Sequence, residues 1–312
     1  VNAPKLEVDE AALIDRLGEL GMRPDELVPA GEGWWSRCYA FTDSAADERR
    51  VVRVGLRREY FEKDAIAAAW TRPDLPIPDV QAVERFGEHW LAVSTHAAGE
   101  PLEHLDAARF NLVMPQLARA LAALRTIEPP GAGWGEFDLT GEGRYPSWRS
   151  YVAAAFGASF DPEFRQADWR VGLESSLATV VDASERRFAD LELDEVPRRI
   201  VHADLLHGNV HVLDDKTTGP QITGVFDWGA GAYADPLLEL ACFEYWKPWH
   251  PGIDLAGLTE ALDQPEPGNA GDRWTACLIL IGVSHIAFTS SRPEVAEQAR
   301  PIADRLVELI DL

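Results

Sequence analysis

The sequence predicts an α+β protein: a small antiparallel β-sheet in the first hundred residues, then a larger and mostly helical part. Three observations carry this. β-Rich segments bounded by turn residues fill the start of the chain, helix-period apolar stripes dominate after Asp106, and the break Ala97-Ala98-Gly99-Glu100-Pro101 separates them. The 312 residues suit one large domain or two packed lobes, because single cores stop growing near ~250–300 residues. The expected division is 1–96 and 97–312.

In order, Asp9–Leu20 places Leu13, Ile14, Leu17 and Leu20 at helical spacing. Gly31-Glu32-Gly33-Trp34-Trp35-Ser36 is a small-residue turn leading into the strand Cys38–Phe41. The polar stretch Asp43–Arg50 connects it to a partner strand, Val51–Val54. Tyr60–Trp70 is Ala-rich and helical, and Pro73, Pro76 and Pro78 stop it. Val80–Phe86 and Trp90–Ser94 read as two strands around Gly87-Glu88. Asp106 can cap a helix carrying Phe110, Val113, Met114, Leu117, Leu121 and Leu124, with Pro115 inside it. Glu128–Gly143 is a Gly/Pro-rich long loop, and loops of that length are often functional. Helices follow near Ser147–Ala158 and Val171–Leu191, then short β signals at Arg199–Val201, Val210–Leu213 and Ile222–Phe226. From Pro236 the chain is mainly helical.

Hydrophobic residues form 46% of the chain and charged residues 26%, enough for a packed core. The formal net charge is −23. That excludes broad nucleic-acid binding and docking on an anionic membrane, both of which need basic surface. The charge is spread evenly, with −7 in residues 1–100 and −16 in 101–312, so it locates no site. Cys38, Cys242 and Cys277 are far apart without a CxxC spacing, which suits a reducing, cytoplasmic setting. No basic stretch followed by an apolar run opens the sequence, so no signal peptide is expected. The most apolar stretch, Thr275–Phe288, is too short to span a bilayer and reads as a buried helix. A monomer is expected.

The segment that carries chemistry is His202-Ala203-Asp204-Leu205-Leu206-His207-Gly208-Asn209-Val210, set between two short apolar strands. About 18 residues after Asn209, the strand Val225-Phe226 ends in Asp227-Trp228. A hairpin would bring Asp204, Asn209 and Asp227 to neighbouring loop edges. Phosphoryl transfer needs such parts. One carboxylate orients the attacking hydroxyl and takes its proton, while an Asn oxygen and a second carboxylate hold Mg²⁺, which prefers hard oxygen ligands. A zinc cluster of His202, Asp204, His207 and His211 is the rival reading. It is opposed by alternation, since Val210 and Val212 should face the core and His211 should not. His202 alone reads better as a histidine packed under the loop.

These residues resemble the aminoglycoside phosphotransferase family. Its catalytic segment runs His-Gly-Asp-Leu-His-Pro-Gly-Asn, followed by a strand ending Ile-Asp-Trp and then Gly-Asp-Pro. Here the same spacing holds His202–Asn209, then Asp227-Trp228, then Ala234-Asp235-Pro236. Further matches, at Gly31–Phe41, Leu75–Pro78, Tyr145–Arg149 and Phe243–Trp249, point to the branch that acts on hygromycin B and cover most of the chain. The resemblance implies a two-lobed protein-kinase-like fold that binds ATP (GTP remains open) with Mg²⁺. It makes Asp204 the catalytic base and Asn209 and Asp227 the Mg²⁺ ligands. Asp235 becomes a loop support and a cap for the helix from Pro236. Ser94, Thr95, His96 and Ala97 become the hinge that meets adenine through the backbone.

The sequence departs from the pattern in places. Where kinases carry a phosphate-holding Lys, this chain has Arg53, whose fork also suits phosphate. Its acidic partner would be Asp64, or less favourably Glu62. The nucleotide loop, with Gly31, Gly33 and Ser36, has only two glycines, and Trp34-Trp35 is unexpected in it. Ala203 replacing Gly reads as a mild exchange.

The resemblance further implies a polycationic, sugar-like antibiotic as substrate. Such a ligand calls for carboxylates and aromatic faces. Candidates are Asp138, Glu142, Glu239, Glu244, Trp246 and Trp249. A kinase for a macrolide, amino alcohol or metabolite, or a non-catalytic nucleotide-binding protein, would share the fold. The intact Asp204, Asn209 and Asp227 argue against the non-catalytic reading.

Overall fold

The computed structural model describes residues 6–33, 36–157, 169–215, 217, 219–262 and 269–312. Trp34, Trp35 and the expected helix end at Ala158 lie outside the described residues. Helices are α1 Glu10–Glu19, α2 Arg58–Ala68, α3 Ala107–Arg125, α4 Trp148–Gly157, α5 Ser175–Ala189, α6 Leu237–Trp246, α7 Leu255–Leu262, α8 Ala270–Ser290 and α9 Ala299–Ile310. Strands are β1 Val28–Glu32, β2 Ser36–Asp43, β3 Glu48–Gly55, β4 Val80–Phe86, β5 His89–Thr95, β6 Glu100–Pro101, β7 Trp134–Phe137, β8 Gly143–Tyr145, β9 Arg199–Val201, β10 Val210–Asp215, β11 Gly219–Val225 and β12 Ala232–Ala234.

Two compact units result. One comprises Asn2–Leu102 with Gly208–Gly229; the other comprises Glu103–His207 with Ala230–Leu312. The sequence reading assigned 97–102 and 208–229 to the second part. The contacts group both with the first: β10 pairs with β6, and the Val225 N–H donates to the Pro76 carbonyl at 2.8 Å. His211 and Thr223 also bond the carbonyls of Ala97 and Ala98.

In the first unit the sheet order is β1-β2-β3-β5-β4, antiparallel throughout. Alternation sorts its faces. Tyr39, Val52 and Val93 lie in one cross-strand row, and Val54 faces Leu91 in the next. All five are buried and pack with Leu13 and Leu17 of α1. Each fully buried side chain of this size contributes about 1.5–3 kcal/mol, and this row sets the register of the sheet. Asp9 caps α1 by accepting from the Ala11 and Ala12 N–H groups. The other row, Cys38–Arg53–Ala92, points to the opposite face, and this is how Arg53 leaves the core.

In the second unit α8 is apolar on nearly every side and forms the centre of the core with α4, α5, α6 and α9. It is longer than the stretch Thr275–Phe288 suggested. Its 21 residues are long and apolar enough to cross a bilayer, yet 67% of that window is buried within the chain's own packing. The expected loop Glu128–Gly143 also holds structure. β7 and β8 join a sheet of order β8-β7-β12-β9. A side chain at Gly133 would meet the Gly143 carbonyl at 2.2 Å, so this pairing needs glycine. The helix expected over Val171–Leu191 starts later, at Ser175.

Candidate functional site

On the first unit, Arg53 Nη1 lies 2.7 Å from Asp64 Oδ2, and its Nη2 lies 3.4 Å from Asp227 Oδ1. The guanidinium also sits 5.1 Å from the ring centre of Phe61, on the same helix as Asp64. Asp64 spends its other oxygen on the Trp228 N–H at 2.7 Å. Lys63 beside it donates to the Gly229 carbonyl at 2.9 Å. Two successive residues of α2 therefore hold the segment that carries Asp227, whose φ is +65°. Burial works against the Arg53 charge, but Asp227 and Asp64 overcome it and hold that charge firmly. Burial pushes the Asp64 carboxyl up to about 6, with Asp227 adding to the rise and Arg53 opposing it. Burial likewise pushes the Cys38 thiol up to about 11, so this cysteine is not a nucleophile at neutral pH.

Asn209 immediately precedes β10 and is 7% exposed. Its carbonyl accepts the Phe226 N–H at 3.0 Å. The hairpin thus brings Asn209 alongside the residue before Asp227, as the sequence predicted. The pair offers amide and carboxylate oxygens, a hard donor set that fits a magnesium ion.

Gly31 ends in β1 and Ser36 starts β2, with the Gly33 N–H donating to the Ser36 carbonyl at 3.0 Å. A side chain at Gly33 would meet nothing within 4 Å. Ser94 and Thr95 close β5. The Thr95 and His96 N–H groups donate to the carbonyls of Asp79 and Arg49, and the Ala97 carbonyl bonds His211 Nδ1. These three main-chain groups of the expected hinge are engaged within the protein.

On the second unit, β9 ends at Val201 and the segment that begins at His202 turns out of it. His202 is fully buried, and its Nδ1 accepts the Asp204 N–H at 3.3 Å, matching the packed role expected for it. The backbone then takes left-handed conformations at Ala203 (φ +64°) and His207 (φ +60°). The first shows that Ala203 for Gly is not a mild exchange, because glycine alone adopts that region without steric cost. The second is closed to proline, which the family pattern carries at this position.

His207 was weighed from sequence only as a metal ligand. Its Nδ1 lies 2.8 Å from Asp204 Oδ1. Burial raises the Asp204 carboxyl, but the His207 charge and hydrogen bond outweigh it and hold the group below its usual range. The same pairing holds His207 above its usual value against the cost of burial. The His207 ring also meets Trp246 edge-on at 5.0 Å, and Trp246 meets His285 at 4.8 Å and Trp249 at 5.3 Å. Trp246 and Trp249 are thus in one aromatic cluster with the partner of Asp204, and Trp249 is exposed.

The carboxylates expected to meet substrate behave differently. Glu239 is 4% exposed and accepts from the His202 and Ala203 N–H groups, so it serves the loop and not a ligand. Glu244 is paired with Arg305 at 2.8 Å. Asp138 caps its own turn, accepting from the Thr140 hydroxyl and N–H and from the Glu142 N–H. Those bonds hold its carboxyl below the usual range. Glu142 accepts the Ala132 N–H at 2.7 Å. The loop bearing both acids is pinned by Arg198, which donates to the carbonyls of Pro129, Pro130 and Gly133 and lies 4.5 Å over the Tyr233 ring. Asp235 caps α6 through the Leu237 N–H, as expected, and is clamped by Arg273. An arginine two residues before the apolar run Thr275–Phe288 was the available signal for Arg273.

The sequence model described as a phosphotransferase enzyme family matches residues 26–278. A hygromycin-B 4-O-kinase of Escherichia coli is 27% identical over 266 residues, covering 84% of this chain and 74% of the relative. Among solved structures, aminoglycoside phosphotransferase APH(4)-Ia superposes with a TM-score of 0.81 at 23% identity, covering 97% of this chain and 99% of the other. A thermostable mutant of it in ternary complex with ADP and hygromycin B gives 0.79 at 24%, covering 97% of each. A fructosamine-3-kinase-like protein from Haemophilus somnus gives 0.60 at 12%, covering 96% and 97%. At these identities the structures establish a kinase-like fold.

Proposed function

The chain belongs to the phosphotransferase enzyme family, and from that premise we propose that it transfers the γ-phosphoryl group of ATP to a hydroxyl of an aminocyclitol antibiotic of the hygromycin B type. The observation that carries this reading is the Arg53–Asp64–Asp227 cluster, built on the same chain as an intact Asp204. A kinase needs a fixed cation for the phosphates and a carboxylate beside the metal, and this cluster supplies both. The E. coli relative, by its name, acts on hygromycin B, which supports the acceptor class.

Asp204 orients the acceptor hydroxyl and takes its proton as the oxygen attacks phosphorus. His207 holds one oxygen of that carboxylate. Arg53 reaches the nucleotide phosphates with a planar fork. Asn209 and Asp227 would hold Mg²⁺, which when bound screens the charge on the transferring group. Trp246 and Trp249 offer aromatic surface to sugar rings, and their cluster includes the Asp204 partner.

The test is ADP release over a panel of hygromycin B, other aminoglycosides and macrolides. Stimulation by hygromycin B is expected. Stimulation by none of the panel would sink the antibiotic reading and leave the kinase fold standing. Asp204→Asn should lower turnover by about 10²–10⁴-fold with nucleotide binding intact. A near-normal rate would falsify the assignment of the base.

A further inference from the structure

Glu239 sits on α6 beneath the catalytic loop, and its two oxygens have unequal surroundings. Oε1 accepts both the His202 and the Ala203 N–H groups. Oε2 is buried and, among the described residues, meets no hydrogen-bond donor. A buried carboxylate with one orphaned oxygen is costly. What the carboxylate adds is a double grip on the backbone, at the point where Ala203 takes its left-handed turn. Asp204 follows directly.

We propose that Glu239 is the positioning residue of the catalytic loop: as a carboxylate it grips the His202 and Ala203 peptides and fixes Asp204 for catalysis, and as a carboxylic acid it lets the loop relax. The inference rests on the reading of Asp204 as the base.

Hydrogen bonds from N–H to an ionised oxygen are roughly twice as strong as those to a neutral one. The orphaned Oε2 is the natural seat for the proton. The groups that face Glu239 are Asp204 and His202 of the loop, Arg125 at the end of α3, and Cys242 on α6. Burial raises its carboxyl to about 7; the two N–H bonds oppose the rise, Asp204 adds to it and Arg125 opposes it. The grip therefore tightens across neutral pH, and turnover should climb with it.

Glu239→Gln keeps one acceptor oxygen and removes the ionisation. With hygromycin B as acceptor, kcat should fall about tenfold, the limb near pH 7 should vanish and KM for ATP should hold. Two measurements need no acceptor. Amide exchange read by mass spectrometry should show the His202–Ala203 peptide opening at least fivefold faster in the variant, after correction for intrinsic rates. Thermal unfolding should show the wild type losing stability relative to the variant as pH rises from 4.5 to 7, because the raised group binds its proton more tightly when folded. Unchanged exchange, or a difference in melting temperature that is flat over that range, overturns the proposal whatever the acceptor. Asp204→Asn measured alongside separates the two failures. If it retains turnover the base is misassigned; if it is dead while Glu239→Gln keeps both rate and limb, only the role of Glu239 falls.

Discussion

Asp235 and Arg273 meet inside the helical unit as a fully buried, two-pronged ion pair: Arg273 Nε lies 2.7 Å from Oδ2, and Nη2 lies 2.6 Å from Oδ1. Asp235 Oδ1 also accepts the Leu237 N–H, so one carboxylate ties the start of α6 to α8. Breaking such a pair from one side strands a charge in the core. Asp235→Ala should destabilise the protein by about 3–5 kcal/mol. Urea denaturation measures this, and an unchanged midpoint would refute it. Replacing both partners by apolar residues should cost less than replacing either alone.

Arg53 is clasped between two carboxylates and carries its charge permanently. Arg53→Ala should raise KM for ATP by about tenfold or more, since a charge-assisted phosphate contact contributes about 1.5–3 kcal/mol. Arg53→Lys should recover part of the loss, because the charge returns without the fork. Calorimetric nucleotide titration decides it; wild-type affinity in Arg53→Ala removes Arg53 from the nucleotide site.

Ala203 holds a conformation that L-residues other than glycine enter at a cost of roughly 1–2 kcal/mol. Ala203→Gly should relieve that strain, less the greater chain entropy glycine loses on folding. The expected gain is about 0.5–1 kcal/mol. A lower melting temperature in the variant would show that the Cβ contributes packing that outweighs the strain.

The His207–Asp204 pair gives stability a pH window. Folding raises the His207 value above 6.5, so its contribution is complete below that pH and fades as pH climbs through the folded value. Folding lowers Asp204 below 3.8, so its contribution is present above that pH and is lost on acidification. His207→Gln should therefore lower the melting temperature most between pH 4 and 6.5, with the deficit shrinking above 7. A deficit independent of pH would assign His207 to packing alone.

Much of this was legible in the residues. Arg53 stood where kinases carry the phosphate-holding lysine, and Asp64 was its expected partner. The spacing from Asn209 to Asp227 predicted the hairpin that aligns them. The substrate carboxylates were not legible. A glutamate on an apolar helix looks the same in sequence whether it faces solvent or, like Glu239, reaches under a loop for two peptide N–H groups. Glu244 is claimed by Arg305 from about sixty positions away, a pairing only the packed helices create. β7 and β8 were hidden because three or four Gly-rich residues carry no periodicity, and they pair only where neighbouring strands template them.

The grouping of Gly208–Gly229 with the first hundred residues makes that unit discontinuous in the chain. On the ribosome, the partner of β6 emerges about 110 residues after β6 itself. At about 5–20 residues per second the early segment waits roughly 6–25 s before its hairpin exists. Slow synthesis before residue 230, or a gene fragment ending at Leu102, leaves that edge without its β-partner and open to wrong pairing. A stand-alone version of the unit therefore needs residues 208–229 spliced onto its end.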